Sequence, residues 1–138
     1  MSDAPIFFTT LPSPVGRLTL VGEGDELIGL AFEGDMHAAP RADWTRDDRR
    51  LRPAISQLQE YFAGKRTRFD LRLAPRGTAF QKAVWAALLR IPFGETASYG
   101  DIARAIGKPA ASRAIGGANH RNPIAIVIPC HRVFGADG

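Results

Sequence analysis

The chain has 138 residues, 45% of them hydrophobic and 23% charged, with a formal net charge of +4. That is enough chain for one compact domain or two small layers, with the balance of an ordinary globule. A single cysteine excludes an internal disulfide framework, and one Cys with three scattered His leaves no zinc set.

Residues 1–10 lack the basic start and long apolar core of a signal peptide, and no run approaches a membrane span. A cytoplasmic chain without membrane, metal or cofactor is therefore expected, and reduced cytosol suits a free thiol. Charge is spread unevenly. Residues 1–75 hold ten Lys/Arg and eleven Asp/Glu, a net of −1; residues 76–138 hold eight and three, a net of +5. A basic half points to a polyanionic partner, nucleic acid first, although a merely solvated basic surface has the same composition.

In chain order, residues 6–10 form a short apolar run that ends at Pro12 and Pro14. Residues 16–21 and 27–32 flank Gly22-Glu23-Gly24-Asp25-Glu26 and read as a β-hairpin turning near Gly24-Asp25. Residues 34–45 are polar, Ala-rich and broken by Pro40, so they read as a loop with His37 solvated within it. Residues 47–63 carry Leu51, Ile55, Leu58 and Phe62 at helical spacing, with Pro53 tolerable only in the first turn. Gly64 suits the position just past the helix end. Phe69, Leu71 and Leu73 alternate with Asp70 and Arg72 as a further strand. No chemistry is evident in this half.

Ala74-Pro75-Arg76-Gly77 marks a boundary. Thr78 and Gln81 have capping-box spacing, and Phe80, Val84, Trp85, Leu88 and Leu89 give the next helix a broad apolar face, with Trp85 in the core. Pro92-Phe93-Gly94 stops it. Ser98 then caps a helix over residues 99–106, Gly107-Lys108-Pro109 turns, and residues 110–118 form a second helix. That helix is built of Ala, Ser and Gly, so another backbone can approach it closely, and Arg113 projects from it alone. The pair could be scaffold; the local charge favours a DNA-docking surface.

Residues 124–128 are apolar and mostly β-branched and read as a buried strand that ends at Pro129. Cys130, His131 and Arg132 follow at its mouth. The chemistry this allows is nucleophilic attack by a thiolate, which a neighbouring base or cation promotes. Strand neighbours point to opposite faces, so Cys130 and His131 meet only if the chain turns after Pro129 or a water bridges them. The ordinary reading of a lone cysteine is a small buried hydrophobe.

Pro129-Cys130-His131-Arg132-Val133 resembles the PCHRV signature of the O6-alkylguanine-DNA alkyltransferases, the methylated-DNA–protein-cysteine methyltransferases. Gly77-Thr78-Ala79-Phe80-Gln81, Val84-Trp85, Ile91-Pro92-Phe93-Gly94-Glu95-Thr96, Ser98-Tyr99-Gly100, Arg113-Ala114-Ile115-Gly116 and Asn122-Pro123-Ile124 stand in the family's order. The similarity is continuous over residues 77–138 and looser before. It implies an α+β fold: a small antiparallel β-sheet with a helix over residues 1–75, then a helical catalytic domain over residues 76–138 with a winged helix–turn–helix-like DNA-binding element. It also implies transfer of an alkyl group from O6-alkylguanine, and from O4-alkylthymine, in double-stranded DNA to the protein's own cysteine, once per chain, by a monomer.

By that resemblance Cys130 is the nucleophile and His131 its base through a water. Tyr99 assists nucleotide rotation and protonates the departing guanine, unless it is simply an aromatic packed at a helix start. Asn122 braces the reactive segment, unless Asn122-Pro123 is only a turn. Arg113 takes the place of the flipped base, and Ser98, Tyr99, Ala111, Ala114 and Gly116 face DNA. Pro129, Cys130, Val133 and Asn119 line the base pocket, the carbonyls of Cys130 and Val133 reading guanine's amino group.

The sequence ends at Gly138. Family members continue with a Tyr-Gly-Gly loop over the base and a helix whose glutamate orients the histidine, so a fragment of weak or absent activity is expected. Three other readings stay open. A lesion binder without transfer would lack the cysteine. A helix–turn–helix regulator would need base readout that a small-residue helix in the minor groove offers little of. A thiol hydrolase would turn over.

Overall fold

The computed structural model describes residues 5–35 and 41–135. Residues 36–40 of the expected loop, with His37 and Pro40 among them, and residues 136–138 lie outside the described residues. The chain divides into two compact units, Met1–Pro75 and Arg76–Gly138.

In the first unit a four-stranded sheet has the order β3-β2-β1-β4. β1 (Ile6–Leu11), β2 (Leu18–Glu23) and β3 (Glu26–Phe32) are antiparallel neighbours, and β4 (Thr45–Arg46) adds two residues parallel to β1. The hairpin turns at Gly24-Asp25 as its residues predict, with Gly24 at a φ of 61°. Along β1, Phe7, Thr9 and Leu11 face inward. Thr9 is a polar group in that buried row. Its hydroxyl donates to Asp48 Oδ1 at 2.5 Å, the first of the contacts that hold the Asp48 carboxyl below its usual range.

α1 (Arg52–Phe62) starts later than the apolar spacing suggests. Proline fits only the first turn of a helix, and Asp47 Oδ1 accepts from the Arg50 amide at 3.1 Å to hold the preceding turn. The helix ends as expected. Gly64 has a φ of 75°, its amide bonds Tyr61 O, and the Lys65 amide bonds Glu60 O, the paired closure of a Schellman motif.

The strand expected over residues 69–73 does not form. Leu73 makes one isolated parallel bridge to Leu27. Upstream, the side-chain amide of Gln57 on α1 donates to Asp70 O at 3.0 Å and accepts from the Asp70 amide at 2.8 Å. Those backbone groups are satisfied by a side chain instead of a neighbouring strand, so alternation alone misleads here.

The second unit is helical. α2 (Ala79–Leu88) opens on a complete capping box: Thr78 Oγ1 accepts from the Gln81 amide at 3.1 Å and Gln81 Oε1 from the Thr78 amide at 3.0 Å. Trp85 is buried, as its place on the apolar face predicts, and its Nε1 donates to Ala118 O at 2.9 Å. α3 (Tyr99–Ala105) is capped by Ser98 with Asp101 and closes at Gly107 with a second Schellman pairing. α4 (Ser112–His120) is displaced from the expected residues 110–118. The Ala111 amide bonds Lys108 O, so Pro109 and Ala110 belong to the turn. Two short parallel strands, β5 (Ala97–Ser98) and β6 (Val133–Phe134), join the start of α3 to the segment after Cys130. No helix is long and apolar enough to cross a membrane among the described residues.

The Thr78 hydroxyl satisfies one of the amides that α2 leaves open, that of Gln81. Thr78→Ala is expected to lower stability by about 1 kcal/mol in urea unfolding, with the unfolding slope unchanged.

Candidate active site and nucleic-acid interface

Residues 124–128 do not form the strand their composition suggests. Ile124, Ala125, Val127 and Ile128 are buried, yet the backbone between them folds on itself. The Val127 amide bonds Ala125 O at 2.8 Å around Ile126, whose φ is 71°. The Ile128 amide bonds Ile124 O at 3.0 Å, and the Cys130 amide bonds Ile128 O at 2.8 Å around Pro129, at φ −80° and ψ 67°. The last is an inverse γ-turn, and the turn at Ile126 is the rarer, strained form.

A β-branched residue at positive φ costs on the order of 1–3 kcal/mol and persists only where its surroundings over-determine it. Asn122 provides that constraint. Its Oδ1 accepts from the Ile124 amide at 2.9 Å and its Nδ2 donates to Ile128 O at 2.7 Å, so one side chain clamps both ends of the loop.

Cys130 opens a 3-10 turn, Cys130–Arg132. The chain therefore does turn after Pro129. Successive side chains in such a turn are about 120° apart, so Cys130 and His131 are not forced onto opposite faces. Cys130 is half-buried and His131 exposed. Desolvation of the imidazole, and secondarily the Arg132 charge, lower the His131 pKa from its usual 6.5 and favour the neutral base. Arg132 Nη1 donates to Ile91 O at 2.7 Å, and its guanidinium lies 5.6 Å from the Phe93 ring. The loop after α2 thereby anchors the reactive turn. Composition gave no sign of this anchor, which joins residues 41 positions apart.

Val133 is buried, pairs with Ala97 and carries the turn into β6. That pairing ties the segment to Ser98 and Tyr99. Tyr99 is half-buried against α4. A Cβ added at Gly116 would lie 3.1 Å from Tyr99 Cε2, and one at Gly135 would lie 3.7 Å from it. Gly116 thus seats the tyrosine ring. Ser98 spends its hydroxyl on the Asp101 amide, and Ala111 is the residue before α4.

On α4, Ile115 and Ala118 face the core, while Arg113, Ala114, Gly117 and His120 are exposed. Arg113, Gly117 and His120 recur at helical spacing along one face, and a Cβ at Gly117 would meet no protein atom within 4 Å. His120 is absent from the residues that the sequence points to, and Gly117 stands there only among the small residues of the helix. Their i+4 and i+7 spacing from Arg113 is the signal that could have found them.

Asn119 faces the other way. Its Nδ2 donates to Cys130 O at 3.3 Å, and its Oδ1 is buried with no hydrogen-bond partner among the described residues. A hydrogen bond contributes about 0.5–1.5 kcal/mol, whereas an orphaned buried acceptor costs about 1–3 kcal/mol. Stability alone does not account for an asparagine here. Among the described residues no cluster of three His, Cys, Asp or Glu side chains could hold a metal ion.

Asn122→Ala removes both clamps: the buried Ile124 amide loses its partner, and Ile128 O keeps only the Cys130 amide. A loss of about 2–4 kcal/mol is expected in chemical denaturation.

Two family models match the chain. The DNA binding domain of 6-O-methylguanine DNA methyltransferase matches residues 79–138, and its ribonuclease-like domain matches residues 6–75. A methylated-DNA–protein-cysteine methyltransferase of Mycobacterium bovis is 52% identical, covering 96% of this chain and 81% of the relative. One of Methanosarcina barkeri is 51% identical, covering 96% and 85%. Among solved structures, the Mycobacterium tuberculosis OGT in complex with DNA aligns with a TM-score of 0.88 at 52% identity, covering 96% of this chain and 80% of that one. By both of its units, the chain belongs to the 6-O-methylguanine DNA methyltransferase family.

Proposed function

We propose that this chain is a DNA repair protein that takes the alkyl group from O6 of an alkylated guanine in duplex DNA onto Cys130. One observation carries the reading beyond family membership. α4 presents Arg113 on an exposed, nearly smooth face and hydrogen-bonds the Cys130 carbonyl from its other side. Docking surface and thiol are thus two sides of one helix. The net charge of +5 over residues 76–138 supports attraction to a phosphate backbone.

A stacked and paired base is out of a thiol's reach, so the nucleotide rotates out of the duplex. Arg113 enters the gap, where a flat cation suits both stacking and the phosphate field. Ala111, Ala114 and Gly116 keep the docking side of α4 low, and Ser98 holds the start of α3 beside them. Pro129, Cys130 and Val133 bound the base, with Asn119 behind Cys130. His131 accepts the Cys130 proton through a water. The sulfur lone pair forms the new S–C bond as the C–O6 bond breaks, its electron pair passing to the guanine. Tyr99 protonates that leaving group. Asn122 keeps the reactive turn in shape. The product thioether is stable, so each chain acts once, as a monomer in the cytoplasm.

Intact-protein mass after incubation with a duplex containing O6-methylguanine should rise by one methyl, mapped to Cys130 and never exceeded. Cys130→Ser should bind the duplex without gaining mass. Binding by the unaltered chain without a mass change would instead make it a lesion binder and sink the transfer reading.

The pH profile follows from His131. Its folded pKa lies below 6.5, so the neutral base survives further into acid than an ordinary histidine. The acid limb of the single-turnover rate should have its midpoint below that of an ordinary histidine and should be absent in His131→Gln.

A further inference from the structure

We infer that Asn119 is the positioning residue that registers Cys130 against docked DNA. The inference rests on the reading just proposed, in which α4 docks and Cys130 accepts the alkyl group. Asn119 lies on α4 between the inward-facing Ile115 and Ala118 and the exposed His120. Its Nδ2 reaches Cys130 O at 3.3 Å. A carbonyl can only accept, so the orientation of the amide is set: nitrogen toward Cys130, oxygen turned into the protein. That oxygen is buried and has no partner among the described residues.

A bond of this length returns no more than an orphaned buried acceptor costs. A leucine would fill the same volume without the orphan. What the amide supplies and leucine cannot is a directional tie between the docking helix and the residue that carries the thiol.

The other ties on this segment do different work. Asn122 lies beyond the end of α4 and closes residues 124–128 on themselves. Arg132 anchors to Ile91, after α2. The β5–β6 pair leads to α3. Asn119 connects α4 itself to Cys130. With the tie present, seating α4 in a groove also sets where the thiol stands relative to the rotated base. Without it the turn still forms, and the thiol samples positions in which attack on the alkyl carbon is misaligned. A misplacement near one ångström is worth about a hundredfold in rate at most.

Asn119→Leu and Asn119→Ala separate this role from a structural one. Each variant is measured for thermal unfolding, affinity for a duplex containing O6-methylguanine, single-turnover methyl transfer at saturating DNA, and alkylation of Cys130 by iodoacetamide without DNA. Expected for Asn119→Leu are an unchanged or raised melting temperature and a DNA affinity within about twofold. Iodoacetamide reactivity should be unchanged and methyl transfer about tenfold slower. Asn119→Ala should show the same split even if its melting temperature falls. Transfer at the unaltered rate in either folded variant would overturn the inference, as would a slowing matched by equal loss of DNA affinity or iodoacetamide reactivity. Absence of transfer by the unaltered chain would instead overturn the proposed function on which it rests.

Discussion

The Asn122 carboxamide holds a shape the backbone resists. Five apolar residues before Cys130 could extend as a strand, but the side chain donates to Ile128 O and accepts from the Ile124 amide. That closes the segment into a loop with Ile126 at positive φ. Two hydrogen bonds and four buried apolar neighbours outweigh a backbone strain on the order of 1–3 kcal/mol. Everything after the loop inherits its geometry. Pro129 completes a second tight turn, and Cys130 emerges at the start of a 3-10 turn instead of at the end of a flat strand.

That turn changes what the neighbouring residues can do. On a strand, His131 would point away from Cys130. On the turn the two are not forced onto opposite faces, and Arg132 reaches back to Ile91. The Arg132 charge is occupied by a carbonyl and an aromatic ring while still disfavouring protonation of His131. A neutral imidazole beside a half-buried thiol is the state in which a base can accept a proton.

α4 has two faces with opposite demands. Toward the core, Ile115 and Ala118 pack, and Ala118 O receives the Trp85 indole. Outward, the helix is small-sided. The two adjacent glycines differ in their reasons. Gly116 makes room for the Tyr99 ring, whereas at Gly117 nothing in the protein limits side-chain size. Glycine within a helix costs roughly 1 kcal/mol relative to alanine, so Gly117 is a residue whose smallness the protein's own packing does not require. In the proposed function that open side faces DNA.

Much of the chain was legible in its residues because the signals were local. Thr78 with Gln81, the Ser98 cap, Gly64 and Gly107 mark helix ends through bonds spanning only a few residues, and each forms. The β2–β3 hairpin, the burial of Trp85 and the family likeness carried by Pro129-Cys130-His131-Arg132-Val133 were readable for the same reason. What tertiary structure decided were cases where a distant or side-chain partner competed with local pattern. Gln57 took the backbone groups of Asp70 that alternation had assigned to a strand. Asn122 folded a β-branched run into a loop. Parallel pairing of Ala97 with Val133, the Arg132–Ile91 bond and the Asn119–Cys130 bond join residues far apart in the chain. Periodicity reports which residues are apolar and how often they recur. It does not report which group will satisfy a given amide or carbonyl, and that choice gave the reactive turn its form.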